Sequence, residues 1–110
     1  MSTATSTTAR TGTADAYRAA ITALTAASVA VTDARATVQE QEAIIAEYLN
    51  RYDSSDRRHF ERLQRMVRVL GDLRTVLARA ANTEYAATRA AGEARFAMVD
   101  ALPDAVREVL

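Results

Sequence analysis

The sequence predicts an all-α protein, an antiparallel two-helix hairpin that associates into a four-helix bundle. Three features carry this reading: many Ala with only three Gly and one Pro in 110 residues, a seven-residue apolar repeat in the first half of the chain, and one cluster of turn-forming residues near the middle. A sandwich, barrel or doubly wound sheet needs turns far more often than three Gly and one Pro supply. A chain of this length holds one modest core.

Residues 1–13 are mostly Thr, Ser and Ala, a composition that buries too little apolar surface to offset its ordering entropy, so they are expected to be a disordered tail. The hairpin is expected over residues 14–102. Thr13 or Asp15 supplies a helix start, and neither Gly nor Pro interrupts the chain from Ala16 to about Asn50. Along this first helix, about 15–50, Tyr17, Leu24, Val31, Val38 and Ile45 recur every seventh residue with Ala on their flanks. That is the seam of a helix packed lengthwise on another, in a rod of about 50 Å.

The seam breaks at residues 50–55. Asn50 suits a left-handed C-terminal cap, and Asp53, Ser54 or Ser55 can accept a hydrogen bond from the amides that open the next helix, with Asp56 in its first turn. The second helix, about 55–101, carries Phe60, Leu63, Met66, Val67, Leu70, Leu73 and Leu77, then an Ala-rich continuation, and ends before Pro103. Phe60, Leu63, Leu70 and Leu77 are its expected seam. Its residues beyond about Ala87 are expected to overhang the first helix, and residues 103–110 form a tail or a short helix.

Composition removes several function classes. With no Cys, thiol catalysis, thiolate metal sites and disulfides are excluded. All fourteen basic residues are Arg and fourteen acids balance them, so no bulk charge favours nucleic acid. The polar start has no apolar run of the kind an export signal requires, and no segment approaches the ~20 apolar residues of a membrane span.

The zero net charge is a cancellation. Residues 15–50 hold five acids against two Arg, a local −3, and residues 51–80 hold eight Arg against four acids, a local +4. Arg57, Arg58, Arg62, Arg65 and Arg68, with Arg79, fall on one side of the second helix, away from Leu63, Leu70 and Leu77. They make either a phosphate-tracking face or a counterpart to the acidic first helix, and the second reading fits better because no aromatic residue interleaves them. His59, flanked in sequence by Asp53, Asp56 and Glu61, is the one candidate for acid–base chemistry. A two-helix rod offers it no water-excluding pocket, and a solvated position at the helix start is expected. No cofactor, metal or enzymatic activity is expected. Tyr48, Tyr52 and Phe60 bracket the turn, while Phe96 and Asp100, four residues apart, share a face that a receptor could read.

These features together resemble the small Trp-X-Gly family, the early-secreted-antigen-like proteins exported by type VII systems of actinobacteria and firmicutes. The resemblance covers roughly residues 15–101: the length, the Ala-rich hairpin, the central turn and an aromatic residue early in the second helix. Tyr52-Asp53-Ser54 stands where the family carries Trp-X-Gly, with Phe60 eight residues beyond Tyr52. The family's export signal is a Tyr followed four residues later by an acid. Tyr85 is followed at that distance by Arg89, whereas Phe96 and Asp100 match with Phe in place of Tyr. The absence of Lys fits a GC-rich genome, compatible with an actinobacterial source. The resemblance implies a non-enzymatic protein that pairs with itself or a related hairpin and engages type VII machinery. Such a protein is secreted without a signal peptide, or stays in the cytoplasm as a relative's partner. The other reading is an intracellular nucleic-acid-associated or regulatory bundle using the Arg57 to Arg79 face.

Overall fold

A run of 47 residues with no Pro and Gly12 as its one glycine forms a single helix in the computed structural model of the protein. This is α1, Thr3–Leu49; α2 spans Arg57–Asp100 and the short α3 spans Asp104–Arg107. The structure describes the backbone of residues 3–109 and the side chains of residues 12–109. Among the described residues there is no strand, and the two long helices pack against each other.

The helix starts at Thr3, well ahead of the expected start near Asp15, so the expected tail is helical from residue 3; its first two residues lie outside the described ones. The physical reason is cooperativity. Once a long helix is nucleated, each added Thr, Ser or Ala costs little, and no Pro intervenes to stop it. The expected overhang of α2 is absent for the same reason. Ala91 is only 6% exposed and Ala94 and Met98 are half-buried.

Two compact units divide the helices, Val29–Asn82 around the turn and Met1–Ser28 with Thr83–Leu110. In the turn unit, shielded positions step by alternating threes and fours: Val31, Ala34, Val38, Gln41, Ile45 and Tyr48 on α1, and Leu63, Met66, Leu70, Leu73, Leu77 and Ala80 on α2. Every other residue of the two helices in this unit is exposed, except His59 at the start of α2, which continues the same step. Seven residues per two turns is the period at which one helix stays against another. Gln41 Nε2 donates to the Met66 carbonyl at 3.0 Å, and Arg74 pairs with Glu42 at 3.1 Å, which locks the antiparallel register. In the terminal unit the series continues through Tyr17, Ala20, Leu24 and Ala27 on α1 and through Glu84, Ala87, Ala91, Ala94 and Met98 on α2. That stretch offers mostly methyl groups, so it buries less apolar surface per turn than the Leu-rich turn unit.

Tyr17, Leu24, Val31, Val38, Ile45, Leu63, Leu70 and Leu77 thus lie in the series the heptad reading named. Phe60 does not: it is 49% exposed, and its expected place in the seam belongs to His59. The Leu at 63, 70 and 77 set the frame of α2, and the preceding step of four from Leu63 reaches His59, leaving Phe60 on the flank. Val67 is displaced in the same way.

Candidate functional site

Among the described residues, the turn brings together backbone, carboxylate, hydroxyl and imidazole hydrogen bonds. α1 ends by tightening, with the amides of Asn50, Arg51 and Tyr52 donating to the carbonyls of Glu47, Tyr48 and Leu49. Those i to i+3 bonds satisfy carbonyls that a left-handed cap would otherwise serve. Asn50 accordingly does not take the expected left-handed conformation; no described non-glycine residue has positive φ. The cap of α2 is Asp56, one of the acids expected only in the first turn. Its Oδ1 accepts from the Arg58 amide at 2.9 Å and its carbonyl accepts from the Phe60 amide.

Asp53 closes the turn from the other side. Its Oδ1 accepts from the Ser55 hydroxyl at 2.6 Å and the Ser55 amide at 2.9 Å. The Ser55 hydroxyl, then the Ser55 amide, hold the Asp53 carboxyl below its ordinary value of 3.8. A depressed folded-state pKa adds stability that is present above the ordinary value and fades as pH falls through the lowered one. Asp53→Asn is therefore expected to lower the melting temperature at about pH 7 and to lose that effect progressively as pH falls below the ordinary value, as read by thermal denaturation at neutral pH and in acid. An equal deficit at both pH values would mean that the carboxylate charge contributes nothing.

His59 joins this turn to the seam. Its Nδ1 accepts from the Asp53 amide at 3.1 Å, which places the ring proton of the neutral imidazole on Nε2, 3.9 Å from Asp56 Oδ2. Its ring lies 5.7 Å from that of Tyr48 and 6.4 Å from that of Tyr52. Tyr48 is only 7% exposed, donates its hydroxyl to the His59 carbonyl at 3.3 Å and carries the Arg62 guanidinium 5.5 Å over its ring. His59 is thus a half-shielded structural residue and not the solvated side chain expected. The lone pair a general base would use is already occupied by a backbone amide.

The sequence-named residues fall into three places. Tyr52, Asp53 and Ser54 form the turn, with Tyr52 in the aromatic cluster and Asp53 in its hydrogen-bond network. Arg57, Arg58, Arg62, Arg65 and Arg68 are exposed on α2, but three are engaged locally: Arg57 with Glu61 at 3.1 Å, Arg58 with Asp56 at 3.9 Å, and Arg62 on Tyr48. Phe96 and Asp100 lie on the last turns of α2 in the terminal unit. Phe96 is 75% exposed and borders an open groove with Gly92, Arg95, Val99 and Arg107, while Asp100 pairs with Arg107 at 3.3 Å. Arg107 thereby ties α3 to the end of α2, and it also pairs with Asp104 within α3. Arg62 and His59 are the residues whose place in the cluster composition does not disclose. Counting back by four from Leu63 finds His59, whereas Arg62 depends on where the Tyr48 ring lies.

Among the described residues, no group of three or more His, Asp or Glu could hold a metal ion, and no helix is long and apolar enough to cross a membrane. No family model, no curated protein and no solved structure matches the chain.

Proposed function

We propose that this chain is a non-enzymatic helix-pairing protein, which dimerises with itself or a related hairpin to complete a four-helix bundle. The observation that carries the reading is an unfinished core. Among the described residues no large side chain is completely buried, while Ile44, Leu49, Phe60, Val67, Val69 and Val76 each leave at least about two fifths of their surface in water. Exposed apolar residues in such number along one helix pair support a missing partner surface. The resemblance to type VII substrates extends the proposal: Phe96 and Asp100 serve as the export signal, and the protein is secreted by a type VII route.

Sedimentation of the full chain, alone and mixed with the product of its genomic neighbour, tests the pairing. A mass of at least twice 11.9 kDa is expected in one of the two. A monomer in both would overturn the proposal. The export arm is separate: Phe96→Ala and Asp100→Ala are each expected to reduce accumulation in the culture medium, and unchanged accumulation in both would leave a pairing protein with no export role.

A further inference from the structure

The two flanks of the seam in the turn unit differ in chemistry. One carries the Glu42–Arg74 ion pair, each partner four residues after a seam residue, Val38 or Leu70, together with exposed Leu49, Phe60 and Val67 in the same register, and its outer positions hold no opposed rows of charge. On the opposite flank, in the position before each seam residue 38, 45, 70 and 77, stand Thr37, Ile44, Val69 and Val76, all exposed. The three apolar ones form a strip that no ion pair crosses, bounded at its turn end by Arg62, which occupies the same position before Leu63 and lies over Tyr48.

Charged borders of opposite sign enclose this strip. On α1, Asp33, Glu40 and Glu47 recur at seven-residue spacing on its outer side. On α2, the matching positions are Arg58, Arg65 and Arg79, with Asp72 between them, so one border carries −3 and the other a net +2. No intrachain ion pair involves Asp33, Glu40, Glu47 or Arg65 among the described residues.

Two such faces can meet about a two-fold axis in two ways. With the axis lying across the helices, the acidic border meets the acidic border and Arg meets Arg. With the axis parallel to the helices, each acidic border meets the partner's Arg border, twice over, and the apolar strips still cover each other. Charge complementarity selects the second arrangement, since like charges juxtaposed at an interface cost several kcal/mol. We infer that a second copy of this chain docks on the Ile44, Val69 and Val76 strip with α1 over the partner's α2 and both turns at the same end. This rests on the pairing reading above and specifies its partner, face and symmetry.

The chain has no Cys, so Ser54→Cys provides a single thiol at the exposed turn for a spin label. In the full-length dimer the label-to-label distance is expected to peak below about 30 Å, whereas turns at opposite ends would lie more than about 40 Å apart, at ~1.5 Å of helix rise per residue. In addition, Glu40→Arg with Glu47→Arg is expected to weaken self-association at least ~10-fold, and adding Arg58→Glu and Arg65→Glu to restore it. A distance beyond about 40 Å, or charge reversal without effect, overturns the face and leaves the pairing reading standing. A chain that is monomeric alone but pairs with its neighbour's product overturns self-docking alone. A chain that is monomeric in both cases sinks both.

Discussion

Leu70→Asp is expected to abolish the cooperative thermal transition of the helix pair. Leu70 is 8% exposed at the middle of the seam, among the few buried side chains of the turn unit, of which Val38 and Val31 are two others. Removing its apolar burial costs about 2 kcal/mol, and a carboxylate left in its place, where the nearest cation on the same helix, Arg74, is already paired with Glu42, adds several kcal/mol more. Together these approach the whole stability of a small domain, about 5 kcal/mol at the low end. Circular dichroism at the helical minimum during heating reads the result. A sigmoidal melt within a few degrees of the unsubstituted chain would show that this seam does not hold the helices together. Acidification should partly restore the transition, because a protonated Asp no longer carries a buried charge.

Tyr48→Ala is expected to be the second most damaging change, at about 3 kcal/mol or more, the cost of truncating a buried aromatic residue. Tyr48 lies where the seam meets the turn, in contact with the rings of Tyr52 and His59 and beneath Arg62. Deleting it opens a cavity under the turn and also removes the cation–π contact. Tyr48→Phe separates the contributions: it keeps the ring and loses only the hydroxyl bond to the His59 carbonyl, a loss of about 1 kcal/mol. Urea denaturation midpoints for the two variants measure this difference. If Tyr48→Ala were no worse than Tyr48→Phe, the aromatic cluster would be ornamental to stability.

Much of this fold was legible because a helix pair is a one-dimensional problem. Tyr17, Leu24, Val31, Val38 and Ile45 announce their own period, and a seven-residue apolar repeat has one structural use in a chain without frequent turns. Phe60 shows where legibility ends. Phe60 and Val67 are as apolar as the seam residues of α2, so hydropathy alone assigns them to the interior; the frame set by Leu63, Leu70 and Leu77 excludes them. The turn shows the same limit. Asp53, Ser54, Ser55 and Asp56 are all competent caps, and the choice of Asp56 follows from which amide its carboxylate can reach once Tyr48, Tyr52 and His59 have closed against one another.

The basic residues divide along similar lines. Eight Arg in residues 51–80 were plain as a local excess of charge. Their separate employments were not: Arg74 crosses to Glu42, Arg62 covers Tyr48, Arg57 holds Glu61 of its own helix, Arg58 faces the capping Asp56, and Arg65 stands at the edge of an apolar strip. Each depends on an angle about the helix axis, and one residue's step of 100° is enough to change it.

By itself, then, the sequence determined that the chain is helical, that two long helices meet at a turn near residue 52, and which face of the first helix is shielded. Helix propensity, the scarcity of Gly and Pro and a strict apolar period are local properties that need no neighbour to be read. Tertiary structure alone decided that His59 and not Phe60 enters the seam, that Asp56 caps α2, and which flank carries an apolar strip between borders of opposite charge. Those outcomes depend on the rotation of one helix relative to the other. Rotation is set by the summed packing of the whole seam, and no single residue's hydropathy contains it.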